Sequence, residues 1–430
     1  MDRESGISRR RLMSLAALAA GLAGGRRSEA AGVAAPAPDH AKALSARQFG
    51  AVGDGVADDT AALQAALEAV FDPSDHAAGL LVIPPGDYKI TRSLRFTQRE
   101  NSGQSRRVSA RGARLVSAIP DGGHVLHIRS AATWHFIILE GLEIAGSGSD
   151  GHGLYLECDT NRAGLYNFCL RDLAIGNCGG DGCRIYGNLF EAQLENCAFR
   201  GNRGNGATFA HSLHGGVLSS IHLFGCAFDD NEAHGAEIVR AYDVGFHGCT
   251  FHRNGRFGLL ATNGCELVAD CSFIDNHRSA FDFANGGAGM GLRRYATLVG
   301  CVSHSTANQT HLIDADLWGS FARLVLIGCR ATGEGPAAAA GLARLRGWGT
   351  HPATIVGCQG AVTSAGGVQP LAIGGAGGSI GASAEWRSAN LLQMGEYRMW
   401  VDAGGRLRLK KGAPEFDGDG RPAGGSGAGR

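Results

Sequence analysis

The chain carries no surplus of charge of either sign: 40 Lys and Arg stand against 40 Asp and Glu. That balance removes the electrostatic ground for a nucleic-acid ligand or an anionic membrane surface. An apolar run long enough to span a bilayer is also lacking, since LAALAAGLAGG at 15–25 is short and only weakly hydrophobic. Aromatic residues make up just 7%, and no metal motif, phosphate loop or serine triad stands out. Glycine is abundant, with 68 residues, which fits a turn-rich β architecture or disorder. Regular apolar strands exclude disorder for the middle of the chain.

Those strands repeat. Between Leu194 and Phe283 one frame returns as LENCAFRGN, LFGCAFDDN, FHGCTFHRN and VADCSFIDN, then continues with a degraded second half at LVGC, LIGC and IVGC. Its cysteines, Cys197, Cys226, Cys249, Cys271, Cys301, Cys329 and Cys358, lie 22 to 30 residues apart, which is a solenoid spacing. LEGLEI and LRDLAI put Leu142 and Leu173 in the same slot. A slot that takes Cys or Leu, with an apolar residue three before it and Phe or Ile two after, alternates like a strand with one buried face. The cysteines are therefore core.

Leucine-rich, ankyrin and tetratricopeptide repeats have other signatures, whereas short apolar strands separated by Asn, Gly and Asp at this period predict an all-β fold. Specifically, they predict a right-handed parallel β-helix. Asn202, Asn231, Asn254 and Asn276 share one slot, where stacked amides can hydrogen-bond at about 4.8 Å per coil. Four residues on, Gly206, Gly235 and Gly258, then Ala280, mark a tight turn.

Ser8-Arg9-Arg10-Arg11-Leu12-Met13 ahead of the weak apolar stretch is a twin-arginine pattern, which predicts export to a periplasmic or secreted location with 1–43 as leader. Such export moves folded chains, so the column thiols are expected to be free; Cys178 and Cys183, outside the column, could bridge across a turn. Residues 44–115 read as an N-terminal cap and first coils, 116–365 as the β-helix and 366–385 as a Gly-rich linker or last coil. A β-hairpin module follows at 386–412 and a disordered tail at 413–430. Within the first coils, Asp58-Asp59-Thr60 can cap a helix with Ala61, Leu63, Ala66, Leu67 and Val70 on its apolar face, placed over the open end of the solenoid. LLVIPPGDYKI (80–90) reads as strand, turn, strand, and the basic RENSGQSRRVSARGAR (99–114) as a loop.

FGAVGDGVADDTAALQAAL together with VIPPGDYKI resembles the N-terminal signature of the pectate lyase 3 superfamily, the rhamnogalacturonase and epimerase-like branch of right-handed β-helix proteins. The resemblance implies a polysaccharide-active β-helix: a lyase, a hydrolase, a uronate epimerase or a phage tail-spike domain. Asp54, Asp58 and Asp59 match the motif, and local chemistry accounts for them as turn and cap residues. GEYRMWVDAGGRLRLKK alternates about Ala403-Gly404-Gly405 as a hairpin and is similar to terminal modules of tail-spike-like proteins. That likeness implies attachment or assembly, and a homotrimer could follow.

In such a fold, residues remote in sequence line one groove. Outward slots of the strand after the turn hold Tyr155, Arg184, Thr208, Glu237, Leu260 and Asp282, with Asp314 as a continuation and Glu157 and Tyr186 two residues on. Before the Asn ladder stand Arg200, Asp229, His252 and Ile274, then Gly201, Asp230, Arg253 and Asp275. Between Asn and Gly stand Asn205, His234, Phe257 and Ser279. A lyase or epimerase acting on a uronate must neutralise the carboxylate, remove the C5 proton and supply a proton elsewhere. Arg184 or Arg253 could neutralise, His252 or His234 could be the base, and Tyr155 or Tyr186 could donate, with Asp229, Asp230 and Glu157 contacting substrate.

Three alternatives stand beside that reading. Arg200, Asp229 and His252, and Asp230, Arg253 and Asp275, could be surface ion-pair ladders. An inverting hydrolase would use Glu237 and Asp282, and a non-catalytic carbohydrate-binding or tail-spike-like adhesin would use the columns only as a ladder. No cofactor is specified, though carboxylate columns could hold calcium (Ca2+). The Asn-Thr-Asp-Gly and Arg-Ile-Lys blocks of polygalacturonase-type glycosidases are absent, as are the Tyr-Gly and Asp-Pro-His motifs of mannuronan epimerases.

Overall fold

The computed structural model describes residues 43–72, 74, 79–158, 163–211, 216–262, 265–276, 287–292, 295–306, 309–317, 323–334, 341–373, 380–381, 392–394, 397–401, 407–411 and 421–422. The twin-arginine segment, Ser279, Ala280 and Asp282 lie outside the described residues. No helix among the described residues is long and apolar enough to cross a membrane.

Each coil gives three strands, and coil on coil these pair in parallel to build three sheets of one β-helix. Sheet A runs through Leu126–Ser130, Leu154–Cys158, Cys183–Gly187, Ala207–Ala210, Ala236–Arg240 and Leu259–Ala261. Sheet B follows through Cys169–Arg171, Leu189–Glu195, Leu218–Phe224, Tyr242–His247 and Cys265–Ala269. Sheet C follows through Ala174–Gly176, Ala198–Arg200, Ala227–Asp229, Thr250–His252 and Ser272–Ile274. Period-two alternation buries one face of every strand in a single axial core.

The cysteine frame spans a corner. In LENCAF, Leu194 faces inward from sheet B, Asn196 takes a left-handed φ of 52°, and Phe199 faces inward from sheet C, leaving Cys197 in the bend. Asp172, Gly225, Gly248, Asp270, Gly300, Gly328 and Gly357 make the same left-handed step before their slots, a conformation that Gly, Asn and Asp tolerate best. The cysteines are core, as alternation predicts, but they sit in a bend rather than in a strand. A thiol is useful there because it donates to carbonyls that the corner leaves over: Cys226 Sγ reaches Leu194 O at 3.4 Å and Phe224 O at 3.6 Å.

All twelve cysteines are free and only Cys169 is less than buried, so Cys178 and Cys183 do not bridge. Burial also pushes the Cys169 thiol up, toward the unreactive form. Thiol titration of the native chain should therefore find no more than one reactive group, and all twelve after unfolding. A native count above one, or an unfolded count below twelve, would contradict a closed, reduced column.

Beside the cysteines runs the buried amide ladder. Asn202 Nδ2 donates to Asn231 Oδ1 at 2.9 Å, Asn231 to Asn254 at 2.9 Å, Asn254 to Asn276 at 2.8 Å and Asn276 to Gln309 Oε1 at 3.0 Å. Gln309 takes the slot 33 residues after Asn276, beyond the repeat period, which hid it from the sequence pattern. The turn glycines that follow serve a different need from the one expected. Gly235 has no left-handed φ; a Cβ there would meet Gly258 O at 2.5 Å and Asn254 Nδ2 at 2.8 Å, so stacking between coils excludes a side chain.

At the N-terminal end the helix Thr60–Phe71 packs Leu63, Ala66, Leu67, Val70 and Phe71 onto the solenoid, while Ala61 is exposed, on the side of the helix away from the face assigned to it. Asp59 does not cap its own helix. Its carboxylate accepts the amides of Val52 at 2.6 Å and Gly53 at 3.0 Å, and Asp58 takes the capping role by accepting Thr60 N at 3.0 Å. The Thr60 hydroxyl also bonds to Asp58 and holds its carboxyl below the usual range. Leu80–Val82 and Gly86–Ile90 are the expected strands.

The basic segment is not a loop throughout, because Arg106–Ser117 is a strand. Its arginines are accommodated by partners: buried Arg106 donates to Asp72 O at 2.8 Å, and Arg107 pairs with Glu140 at 2.6 Å. Toward the C-terminus, Val362–Ile373 and Ile380–Gly381 continue the parallel ladder. Leu392–Met394, Tyr397–Val401, Leu407–Lys411 and Arg421–Pro422 form an antiparallel sheet, which puts the last pair in order within the stretch read as a disordered tail.

Candidate active site

The turn from sheet C into sheet A presents one side chain per coil at the edge of sheet A: His124, His152, Asp181, Asn205, His234 and Phe257. A hydrogen-bond chain fixes them. Each backbone N–H in the slot donates to the side chain one coil earlier: His152 N to His124 Nδ1 at 3.1 Å, Asp181 N to His152 Nδ1 at 2.9 Å, and Asn205 N to Asp181 Oδ1 at 2.9 Å. The series ends with His234 N on Asn205 Oδ1 at 2.9 Å and Phe257 N on His234 Nδ1 at 3.2 Å. A nitrogen that accepts from an amide carries no proton, so all three histidines are neutral with hydrogen on Nε2.

The outward positions of sheet A lie alongside. His127, Tyr155, Arg184, Thr208 and Glu237 are in register, and so are Arg129, Glu157 and Tyr186. His127 Nε2 donates to Glu157 Oε2 at 2.8 Å, and Arg129 stands 3.8 Å from the same oxygen. That bond fixes the His127 tautomer and makes Nδ1 its proton acceptor. The Tyr155 ring stacks on His127 at 4.8 Å and meets His124 edge-on at 4.9 Å. Arg184 donates to Asp181 Oδ2 at 3.1 Å, and Asn205 Nδ2 donates to Glu237 Oε2 at 2.8 Å. An open cleft of ≈ 1040 Å³ between the capping helix and sheet A, lined by Gln64, Glu68, Arg92 and Arg95 among others, ends on His124.

Burial, reinforced by the neighbouring His152, lowers the His124 pKa to about 4. Burial lowers His152 as well, against the pull of Asp181. A histidine whose folded pKa lies below its unfolded value of about 6.5 takes up protons on unfolding, so its contribution is complete above that pH and is lost as pH falls toward 4. Stability measured by urea unfolding should fall across that window, and His124→Asn should flatten the fall. An unchanged pH profile in the variant would refute this assignment.

Of the residues picked from sequence, Tyr155, Glu157, Arg184, Tyr186, Glu237 and His234 come together on sheet A and its leading edge. His234 is a poor base, because Phe257 N–H already occupies its proton-accepting nitrogen. Asp229 and His252 stand on sheet C, and Asp230 and Arg253 on the corner after it. There Arg200 Nε donates to Asp229 Oδ2 at 3.0 Å and Arg253 Nη2 to Asp230 at 2.7 and 2.9 Å, one pair from each expected ladder, while Asp275 instead accepts from the Thr306 amide and hydroxyl. Further along the sheet A column Leu260 pairs with Gly291 and Gly291 with Asp314, so Asp314 continues it as expected, while Asp282 lies outside the described residues. His124, His127, His152 and Asp181 went unrecognised in the sequence. His152-Gly153-Leu154 matches His234-Gly235-Ala236, but the early coils have no Asn ladder to anchor that alignment. Among the described residues no group of three or more His, Cys, Asp or Glu is arranged to hold a metal ion, so the calcium reading gains no ligand set there.

Fold and matches place the chain in the right-handed β-helix superfamily. Residues 127–301 match the family described as right handed beta helix region, and residues 43–103 match rhamnogalacturonase A/epimerase, pectate lyase-like. Among solved structures the chain is similar to ORF18 of Geobacillus virus E2, at 16% identity over 85% of this chain and 68% of that one, with a TM-score of 0.56. It is also similar to the Dettilon tailspike protein (13% identity, 79% and 66% covered, TM-score 0.49). A further match is the mannuronan C-5 epimerase AlgE4 A-module of Azotobacter vinelandii (14% identity, 79% and 100% covered, TM-score 0.40). At these identities the likeness is one of fold. No curated protein sequence matches the chain.

Proposed function

We propose that this β-helix protein acts on an acidic, uronate-containing polysaccharide by abstracting the C5 proton, with β-elimination as the outcome. The carrying observation is the His127–Glu157 pair with Tyr155 stacked on it. His127 Nδ1 takes the C5 proton, the electron pair forms the C4–C5 double bond, and the C4–O bond breaks. Tyr155 gives its hydroxyl proton to the leaving oxygen, and solvent returns a proton from His127 to Tyr155. Arg184 and Arg129 face the uronate carboxylate and favour the charge that develops on it. Neutral His124 and His152 offer Nε2–H groups to sugar oxygens along the edge.

The pectate lyase-like match over residues 43–103 supports the substrate class. Hydrolysis through paired carboxylates has less support, because Glu157 is held by His127, Asp181 by Arg184 and Glu237 by Asn205. The twin-arginine pattern supports an exported location, where such polymers are met. The test is a panel of uronate polysaccharides followed by ultraviolet absorbance of the unsaturated product, beside a reducing-end assay. Absorbance with new reducing ends is expected; reducing ends without absorbance would mean hydrolysis, and silence in both would sink the reading.

A further inference from the structure

The corner where sheet A hands over to sheet B carries its own row of outward side chains. Successive coils place His135, Tyr166, Phe190, Ser219 and Tyr242 in one register slot. The first three rings stack at 4.8 and 4.9 Å, their planes 15° and 13° apart. Ser219 interrupts the row and Tyr242 resumes it, 49% exposed and nearly parallel to His211. With strands about 4.8 Å apart, Phe190 and Tyr242 are separated by about 9.6 Å, and His211, which belongs to the same coil as Ser219 and lies 6.3 Å from the Tyr242 ring, borders the space between them.

The floor and rim of this gap are polar. Ser219 Oγ and Ser220 Oγ lie 3.3 Å apart, and Ser220 Oγ donates to Asp243 Oδ2 at 3.2 Å. Glu191, Ser220 and Asp243 occupy matching left-handed positions beside the row, with φ of 59°, 59° and 51°. Aromatic walls suit the C–H faces of a pyranose, while the hydroxyls and carboxylates suit its hydroxyl groups. Two carboxylates on the rim disfavour a uronate, so the sugar that fits is uncharged.

The geometry points to a second saccharide site that holds one neutral pyranose unit of a glycan between Phe190 and Tyr242, over Ser219. It stands on its own residues and does not need the reaction proposed for sheet A. The test is calorimetric titration of the full chain with cellohexaose, mannohexaose, xylohexaose and maltohexaose. At least one should bind. Ser219→Phe, which completes the ring row and fills the gap, should weaken binding by about tenfold or more without lowering the thermal midpoint. Tyr242→Ala should weaken it similarly, and Tyr155→Phe should not.

No binding by any of the hexaoses overturns the site. So does binding that survives both Ser219→Phe and Tyr242→Ala, or that follows Tyr155→Phe. Loss of hexaose binding in Ser219→Phe in a chain that turns over no uronate polymer would uphold this site while rejecting the sheet A chemistry.

Discussion

His127→Ala is expected to lower turnover of uronate polysaccharide by about 10²–10⁴-fold, the usual contribution of a positioned base. The side chain faces outward from sheet A and is 19% exposed, so its loss opens no cavity in the core and the unfolding midpoint should hold. Glu157→Gln is the companion. It keeps size and shape but can place its amide NH2 against His127, which releases the tautomer that makes Nδ1 the acceptor. Its expected signature is a fall in kcat with a displaced pH profile and little change in KM, whereas a merely structural Glu157 would leave the profile in place. Full activity in His127→Ala would remove the proposed base.

Asn231→Leu, at a buried rung of the amide ladder, should produce a large loss of stability. The side chains share a branched shape, and Leu is the bulkier, so some overpacking adds to a cost that lies mainly in hydrogen bonds. Asn231 Oδ1 accepts Asn202 N at 3.2 Å and Asn202 Nδ2 at 2.9 Å, and its Nδ2 donates to Phe199 O at 3.1 Å and Asn254 Oδ1 at 2.9 Å. Each buried polar group left without a partner costs roughly 1–3 kcal/mol, and several are orphaned together. A loss of about 4 kcal/mol or more is expected in urea unfolding. The next-door control is Asp230→Asn, which breaks the exposed pair with Arg253 but keeps a residue that tolerates the left-handed φ of 55°, and it should cost about 1 kcal/mol or less. Equal losses for the two would mean that the ladder does not carry the coil stack.

The contrast between those two neighbours also marks what could be read from sequence. The Asn slot, the Cys slot and the inward Phe of each coil are repeated side chains facing one core, so a one-dimensional pattern exposes them, and the β-helix with its capping helix follows. Corners were harder. The inward set passes from Leu194 to Cys197 and Phe199, because a single left-handed residue, Asn196, turns the chain and shifts the parity of the buried positions by one. The site was legible in part: Tyr155, Glu157, Arg184 and Glu237 could be placed by counting from the turn, since sheet A keeps register with it. His124, His127 and His152 lie in coils whose other slots have diverged, where counting has no anchor. The slot after Leu260 shows the opposite difficulty: it falls at Gly291, farther on than the repeat period leads one to count.

The amide-to-side-chain chain along the edge of sheet A gives the surface a pitch. Successive coils place His124, His152, Asp181, Asn205 and His234 about 4.8 Å apart, the first two part-exposed and the last three buried. The edge is therefore a ruler with two teeth showing. Under the proposed reaction, a polymer laid parallel to the solenoid axis would rest on His124 and His152 at fixed distances from the pair proposed to react, so altering either would change what can rest there.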